Sequence, residues 1–186
     1  MDSQEKWNSK YKDRLTKKTE AEPNTRLMMQ SGYLTGGGAL DIACGLGGNS
    51  YYLAEIGYEV TAIDISDVAV DYVQEQATCN KLNITVKTAD LTKQTSVFTG
   101  RKYDLAVVTY YLDRSLFPLM KEWIKTDGYL FIETFFQNGS SGNQSVSNQY
   151  KLESNELLKE FSDWRVLYFE ENEQEGRQTI FCQNRR

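Results

Sequence analysis

The sequence predicts an α/β fold, with a mostly parallel sheet and helices on both of its faces. Three observations lead to this prediction. Apolar segments of strand length alternate with helical segments from residue 39 to residue 135. A glycine turn joins the first strand to the first helix of this series, and an acidic residue stands late in each of the first three strands. Strands that alternate with helices in this way form parallel sheets.

The first strand and its turn occupy residues 39–49, and a helix follows over 50–56. Gly45 and Gly47 permit backbone angles that are closed to other residues, so a ligand can approach the main chain at the helix N-terminus. Dinucleotide-binding folds use such a turn to hold a pyrophosphate, but their third glycine is missing here. Asp41 would repel a pyrophosphate and suits a ligand with a positive amino group.

The second strand is predicted over residues 58–64 and ends in a carboxylate. Asp64 follows Gly45 by 19 residues, near the spacing at which a βαβ unit places an acid on ribose hydroxyls. Ser66 is predicted to cap the helix that runs to Ala77, which leaves Asp64 available for a ligand. A third strand over 84–89 is closed by Asp90.

The remaining elements complete the sheet. Helices are predicted over 24–30, 116–125 and 153–161, and strands over 103–109, 129–135, 164–169 and 179–182. The last two strands form a hairpin around residues 174–176, which predicts one antiparallel strand. Residues 137–150 are rich in Asn, Gly, Ser and Gln and predict either a lid or a disordered loop. We expect a single domain over residues 1–186.

Composition excludes several classes of protein. Histidine is absent, which removes Ser-His-Asp and Cys-His schemes and histidine metal sites, and we expect no metal. The net charge of −5 disfavours nucleic-acid partners. No apolar run reaches membrane-spanning length, and the polar N-terminus is unlike a signal peptide. Three scattered cysteines favour a reducing cytoplasm. The expected protein is cytoplasmic and a monomer or homodimer.

Several motifs occur together and in one order along the chain. They are Trp7-Asn8-x-Lys10-Tyr11, residues 39–49, 62–66 and 89–91, Tyr111 to Pro118, and Gly128 to Phe135. Together they resemble the class I S-adenosylmethionine-dependent methyltransferases, in particular the small bacterial family related to tellurite-resistance methyltransferases. Three departures stand out: Ala43 replaces the usual first glycine, Gly48 stands where arginine is frequent, and Lys125 to Gly128 lacks its usual proline.

The resemblance implies a three-layer Rossmann-like methyltransferase fold with strand order 3-2-1-4-5-7-6. It implies S-adenosylmethionine as the cofactor, with Asp90 near the adenine amino group and Leu91 on the ring. The cofactor-binding residues it implies are Asp41, Ala43, Cys44, Gly45, Gly47, Asn49, Asp64, Ile65, Asp90, Leu91, Thr109, Trp7 and Tyr11. Residues 1–36 would form an N-terminal helical cap, in which Trp7 and Tyr11 either close over the cofactor or only pack on the domain.

The acceptor pocket is expected beyond the fourth strand, at the carboxyl edge of the sheet. Tyr110 and Tyr111 would line it and Arg114 would attract an anionic acceptor; alternatively Tyr111 packs under the next helix, and Asp113 and Arg114 cap or pair with it. No catalytic residue is assigned.

The expected function is methyl transfer, EC 2.1.1.-, to a small molecule by in-line displacement. The resemblance suggests a metalloid oxyanion or a thiol as the acceptor. The alternatives are a cofactor-binding sensor or partner subunit without turnover, and a nicotinamide-dependent oxidoreductase.

Overall fold

The computed structural model describes residues 2–93, 100–137 and 145–185. These residues form seven strands: β1 (Gly37–Ile42), β2 (Tyr58–Asp64), β3 (Ile84–Thr88), β4 (Tyr103–Thr109), β5 (Ile124–Phe135), β6 (Arg165–Asn172) and β7 (Arg177–Gln183). They also form six α-helices: α1 (Ser3–Thr16), α2 (Thr25–Met28), α3 (Gly48–Glu55), α4 (Asp67–Cys79), α5 (Leu116–Trp123) and α6 (Glu156–Glu160).

The strands belong to one mixed sheet in the order β3-β2-β1-β4-β5-β7-β6, which confirms the predicted order. β1 pairs with β2, β2 with β3 and β4 with β5 in parallel. β7 is antiparallel to both of its neighbours, β5 and β6, as the predicted hairpin requires. The α/β fold class is therefore confirmed.

The chain divides into two compact units, Met1–Arg101 and Lys102–Arg186. The first contains β1 to β3 with α1 to α4, and the second contains β4 to β7 with α5 and α6. The expectation that residues 1–186 make one domain stays a prediction. No helix within the described ranges is both long enough and apolar enough to cross a membrane.

The N-terminal segment of the first unit contains α1 and α2, and its predicted role as a cap over residues 1–36 stays a prediction. A capping box formed by Asp2 and Glu5 starts α1, since each side chain binds the main chain of the other residue. Further along, Asn24 caps α2, and its own N–H donates to Asn49 Oδ1 at 2.8 Å. A Cβ atom on Gly48 would lie 2.2 Å from the carbonyl oxygen of Glu22, so this close approach requires glycine.

Element boundaries differ most from the predictions in the second unit. β5 begins at Ile124 instead of Tyr129, and α5 ends at Trp123. Asp127, at φ 64°, lies inside β5, where its N–H donates to the carbonyl oxygen of Asn184. α6 begins at Glu156 instead of residue 153. Much of the predicted 137–150 loop, residues 138–144, lies outside the described residues; the remainder includes a 3₁₀ turn at Asn148–Tyr150.

Candidate functional site

The turn after β1 has the backbone that the glycine pattern predicts. Gly45 and Gly47 adopt φ values of 54° and 88°. Ala43, which replaces the usual first glycine, has φ 55°, a left-handed conformation that strains a residue with a Cβ atom. The Cys44 N–H donates to the carbonyl oxygen of Ile63 at 3.0 Å and ties the turn to the end of β2.

Asp41 lies in β1 with only 1% of its surface exposed. Its Oδ2 accepts a hydrogen bond from Ser50 Oγ at 2.6 Å. Among the residues that the structure describes, no donor reaches Oδ1, although that atom is buried. Burial raises the pKa of Asp41 to about 7. Ser50 is not among the predicted site residues, because its contact with β1 depends on how α3 packs.

Asp64 is also buried, but it has several partners. Oδ2 accepts from the Gly45 N–H and Oδ1 from the Ser66 N–H, each at 2.9 Å. The Tyr11 hydroxyl also hydrogen-bonds to this side chain. Burial raises the pKa of Asp64 in spite of these bonds. Asp64 therefore ties the turn to the start of α4, and its contact with a ligand stays a prediction. The predicted cap is confirmed, since Ser66 Oγ accepts from the Ala69 N–H.

Helix α1 lies against the turn and brings both predicted aromatic residues to it. Tyr11 packs with Leu46 and Ala69, and its ring is 5.6 Å from that of Trp7, centroid to centroid. A Cβ atom on Gly45 would be 3.1 Å from the Tyr11 hydroxyl. Tyr11 therefore packs on the first unit and also reaches the glycine turn. Contact of either aromatic residue with a cofactor stays a prediction.

The end of β3 borders a cleft of about 280 Å³. Its lining includes Ile65, Asp90 and Gln4 of α1. Asp90 already accepts hydrogen bonds from Thr92 and pairs with Lys93 at 2.8 Å; the hydrogen bonds from Lys93 and Thr92 lower its pKa. Leu91 is buried in the interior. Ile65 and Asp90 thus line the same cleft, and the contact of Asp90 with adenine that the resemblance implies stays a prediction.

In the second unit, Tyr110 directly follows β4 and joins a buried polar network. Its hydroxyl donates to Glu133 Oε1 at 2.9 Å, and Thr179 Oγ1 donates to Glu133 Oε2 at 2.8 Å. The Arg177 guanidinium lies 3.8 Å from the same carboxylate. Glu133 is not among the predicted site residues. The only signal for it is an acid inside the apolar run from Gly128 to Phe135.

Thr109 ends β4, and Tyr111 is half-buried. Arg114 forms a bidentate pair with Glu156 of α6, at 2.5 and 2.8 Å, and donates to the carbonyl oxygen of Lys151. Arg114 therefore pairs with a helix other than α5, while Asp113 accepts from the N–H of Ser115, the residue before α5, and does not cap the helix. Arg114 and Glu156 also line a cavity of about 560 Å³. The acceptor roles of Tyr110, Tyr111 and Arg114 stay predictions.

The first unit fits the cofactor implied by the sequence. It combines a buried carboxylate oxygen that no donor of the described residues reaches, a glycine turn and a second carboxylate at the end of β2. A ligand with an ammonium group would satisfy Asp41 Oδ1, because a carboxylate oxygen only accepts hydrogen bonds. Ala43, Cys44 and Asn49 lie in or beside the turn; the Asn49 side chain holds the Asn24 N–H.

Comparison with known proteins agrees with this arrangement. The family described as "Tellurite resistance protein TehB" matches residues 7–185. A "Probable S-adenosyl-L-methionine-dependent methyltransferase TehB" from Haemophilus influenzae is 29% identical over 140 residues, which cover 72% of this chain and 48% of the relative. A "Ubiquinone biosynthesis O-methyltransferase" from Glaesserella parasuis is 33% identical over 109 residues, 54% of this chain and 46% of the relative. The chain spans about half the length of the curated relatives it matches.

Solved structures support the fold. The crystal structure of TehB from Haemophilus influenzae has a TM-score of 0.78 at 24% identity, covering 94% of this chain and 67% of that one. Magnesium protoporphyrin IX methyltransferase from Synechocystis, with bound SAH, has a TM-score of 0.70 at 17% identity and covers 97% of both chains. The likeness establishes a Rossmann-like methyltransferase fold. With the family match over nearly its whole length, the chain belongs to the TehB tellurite resistance protein family.

Proposed function

We propose that this chain is an S-adenosylmethionine-dependent methyltransferase that acts on a small molecule. The observation that carries the proposal is the buried Asp41 Oδ1, which no donor of the described chain reaches. Leaving a buried acceptor without a donor costs about 1–3 kcal/mol, and more for a charged group. The ammonium of the cofactor's amino-acid part supplies the missing donor. The same carboxylate disfavours a dinucleotide, whose pyrophosphate is negative.

Several of the predicted residues then have a task in holding the cofactor. Asp41 orients the amino group, and Asp64 accepts from the ribose hydroxyls while the Gly45 and Ser66 N–H groups hold it in place. Ile65 and Asp90 border the cleft for adenine. Tyr11 and Trp7 would cover the turn from α1, and the cofactor role of Thr109, at the end of β4, stays a prediction. When bound, S-adenosylmethionine supplies a methyl group that its sulfonium charge already activates.

The chain's main contribution to the reaction is positioning. Holding an acceptor in line with the methyl group can supply about 7–11 kcal/mol of the barrier. This requirement is compatible with a sequence that contains no histidine. Tyr110, Tyr111 and Arg114 would contact the acceptor, which we propose to be a metalloid oxyanion or a thiol. The cytoplasmic location and the monomeric or homodimeric state stay predictions.

A label-transfer assay tests the proposal. Methyl-labelled S-adenosylmethionine would be incubated with the protein and with tellurite, dithiothreitol or a small-molecule cell extract. We expect label in a product from at least one of them, and a large loss of transfer in Asp64→Ala. Binding of the cofactor without transfer to any of the three would contradict the enzymatic proposal and favour a sensor.

A further inference from the structure

Two buried side-chain atoms lack a hydrogen-bond partner within the described parts of the chain: Asp41 Oδ1 and the Tyr51 hydroxyl oxygen. Both belong to residues beside the same glycine turn, Asp41 in the strand before it and Tyr51 in the helix after it. Buried polar groups are hydrogen-bonded in the great majority of cases. Two exceptions around one turn indicate that both atoms serve one ligand.

The Tyr51 hydroxyl reaches the turn itself. The Tyr51 N–H donates to the carbonyl oxygen of Gly47 at 2.9 Å, which places the two residues one helical turn apart. A Cβ atom on Gly47 would lie 2.8 Å from Tyr51 Cζ and 2.9 Å from the hydroxyl oxygen. The end of the tyrosine ring therefore lies directly against Gly47. Burial raises the pKa of Tyr51, so the phenol keeps its proton and can donate it.

The two unpaired atoms have complementary chemistry. An ionised Asp41 oxygen accepts hydrogen bonds, whereas the Tyr51 hydroxyl can donate one. An α-amino-acid group carries an ammonium that donates and a carboxylate that accepts. Residues 43–49 contain neither lysine nor arginine, so the turn offers a ligand carboxylate no charged side-chain partner of its own. The neutral Tyr51 hydroxyl, which lies beside Gly47, would offer that carboxylate a hydrogen-bond donor.

We propose that Tyr51 is a further cofactor-binding residue, whose hydroxyl donates to the carboxylate of the cofactor's amino-acid part while Asp41 holds the amino group. The inference rests on the proposed function, because it assumes S-adenosylmethionine as the ligand. It adds that the site recognises both charged groups of the amino-acid part: the ammonium through Asp41, before the turn, and the carboxylate through Tyr51, after it.

Calorimetric titration with two probes tests this inference. S-adenosylmethionine carries the carboxylate, and decarboxylated S-adenosylmethionine lacks it but keeps the amine and the sulfonium. We expect Tyr51→Phe to weaken binding of the first about 10- to 100-fold, the loss of a hydrogen bond to a charged group, and to leave binding of the second unchanged. Tyr52→Phe, the neighbouring half-buried tyrosine of α3, is the matched control and should change neither affinity.

The thermal midpoint of the ligand-free variant provides a second readout. Because the hydroxyl has no partner in the described chain, its removal should leave the melting temperature of Tyr51→Phe equal to that of the wild type or higher. Unchanged binding of S-adenosylmethionine by Tyr51→Phe, or an equal loss for both probes, would overturn the inference while leaving the proposed function standing. Failure of the wild type to bind S-adenosylmethionine would overturn both.

Discussion

Each of the two units buries a carboxylate inside a strand, and the two carboxylates differ in their partners. Glu133 in β5 accepts from Tyr110 on one oxygen and from Thr179 on the other, and the Arg177 guanidinium lies nearby. Asp41 in β1 accepts from Ser50 on one oxygen, and no donor within the described residues reaches the other. Buried charge is tolerated where it is paired and hydrogen-bonded. The paired carboxylate therefore belongs to the fold, and the half-paired one indicates a ligand.

The largest effect should come from breaking the paired network. Arg177 is 4% exposed and its guanidinium lies 2.6 Å from Glu170 as well as near Glu133. Arg177→Met would leave the buried Glu133 charge without its cation, and we expect the free energy of unfolding to fall by about 3–5 kcal/mol. Urea denaturation measures it.

A matched arginine shows what an exposed pair contributes. Arg101 pairs with Glu59 at 2.6 Å, and both side chains are about half exposed. Arg101→Met should cost less than about 1 kcal/mol. Equal losses in the two variants would contradict the assignment of the Arg177 network to the stability of the fold.

Removing the charge of Asp41, the half-paired carboxylate, should instead raise the free energy of unfolding. The pKa of Asp41 is about 7 in the folded chain against an ordinary 3.8, so the folded state binds more protons between these values. The contribution of Asp41 to stability therefore falls as pH rises from about 4 to about 7. Asp41→Asn should match the wild type at pH 4 and exceed it by about 2–4 kcal/mol at pH 8.

Urea denaturation of both proteins across this pH range gives the difference directly. Asp71→Asn, a change at an exposed acid of α4, serves as the control. A constant difference between Asp41→Asn and the wild type from pH 4 to pH 8 would rule out the raised pKa.

Asp64 is an intermediate case, because its partners are backbone N–H groups and the Tyr11 hydroxyl. Tyr11→Phe removes one donor from a buried carboxylate, and we expect the free energy of unfolding to fall by about 1–2 kcal/mol at pH 8. Thermal denaturation checks this against Tyr150→Phe, whose ring is exposed. A loss no larger than that of the control would mean that the hydroxyl contributes nothing to holding Asp64.

The smallest effect concerns the strained backbone of the turn beside Asp41. Ala43 has φ 55°, so Ala43→Gly should raise the free energy of unfolding by about 0.5–1 kcal/mol. The same change at Ala54, inside α3, should lower it by about 1 kcal/mol. Denaturant titration of both variants tests the strain at Ala43. If Ala43→Gly is destabilised as Ala54→Gly is, the backbone at Ala43 holds no strain that glycine would relieve.

Local patterns predicted much of the fold. The bounds of β2 and β4 match their predictions residue for residue, because each is a buried apolar run flanked by turn residues. The beginning of β5 was not predictable in this way, since Lys125 to Gly128 reads locally as a turn and pairs only through contact with residues such as Asn184. The strand order was predicted from the family resemblance, because the periodicity of apolar residues does not determine which strands are neighbours.

The candidate site likewise has residues that local sequence patterns predict and residues that they do not. Asp41, Gly45, Gly47 and Asp64 are recognisable because their types and spacing follow one βαβ unit. The partners of these residues depend on distant segments: Tyr11 reaches Asp64 from α1, and Arg114 meets Glu156, 42 positions away. Tyr51 carries no motif at all, and only the geometry at Gly47 draws attention to it.

The central claim is that Asp41 holds the amino group of the cofactor. Calorimetric titration of the wild type and Asp41→Asn with S-adenosylhomocysteine, at pH 8 and pH 6, tests it most directly. Because Asp41 titrates near pH 7, the wild type should bind at micromolar concentration at pH 8 and about tenfold more weakly at pH 6. Asp41→Asn should bind about 10- to 100-fold more weakly at pH 8 and show no change with pH. Equal affinity of the two proteins at both pH values would contradict the claim.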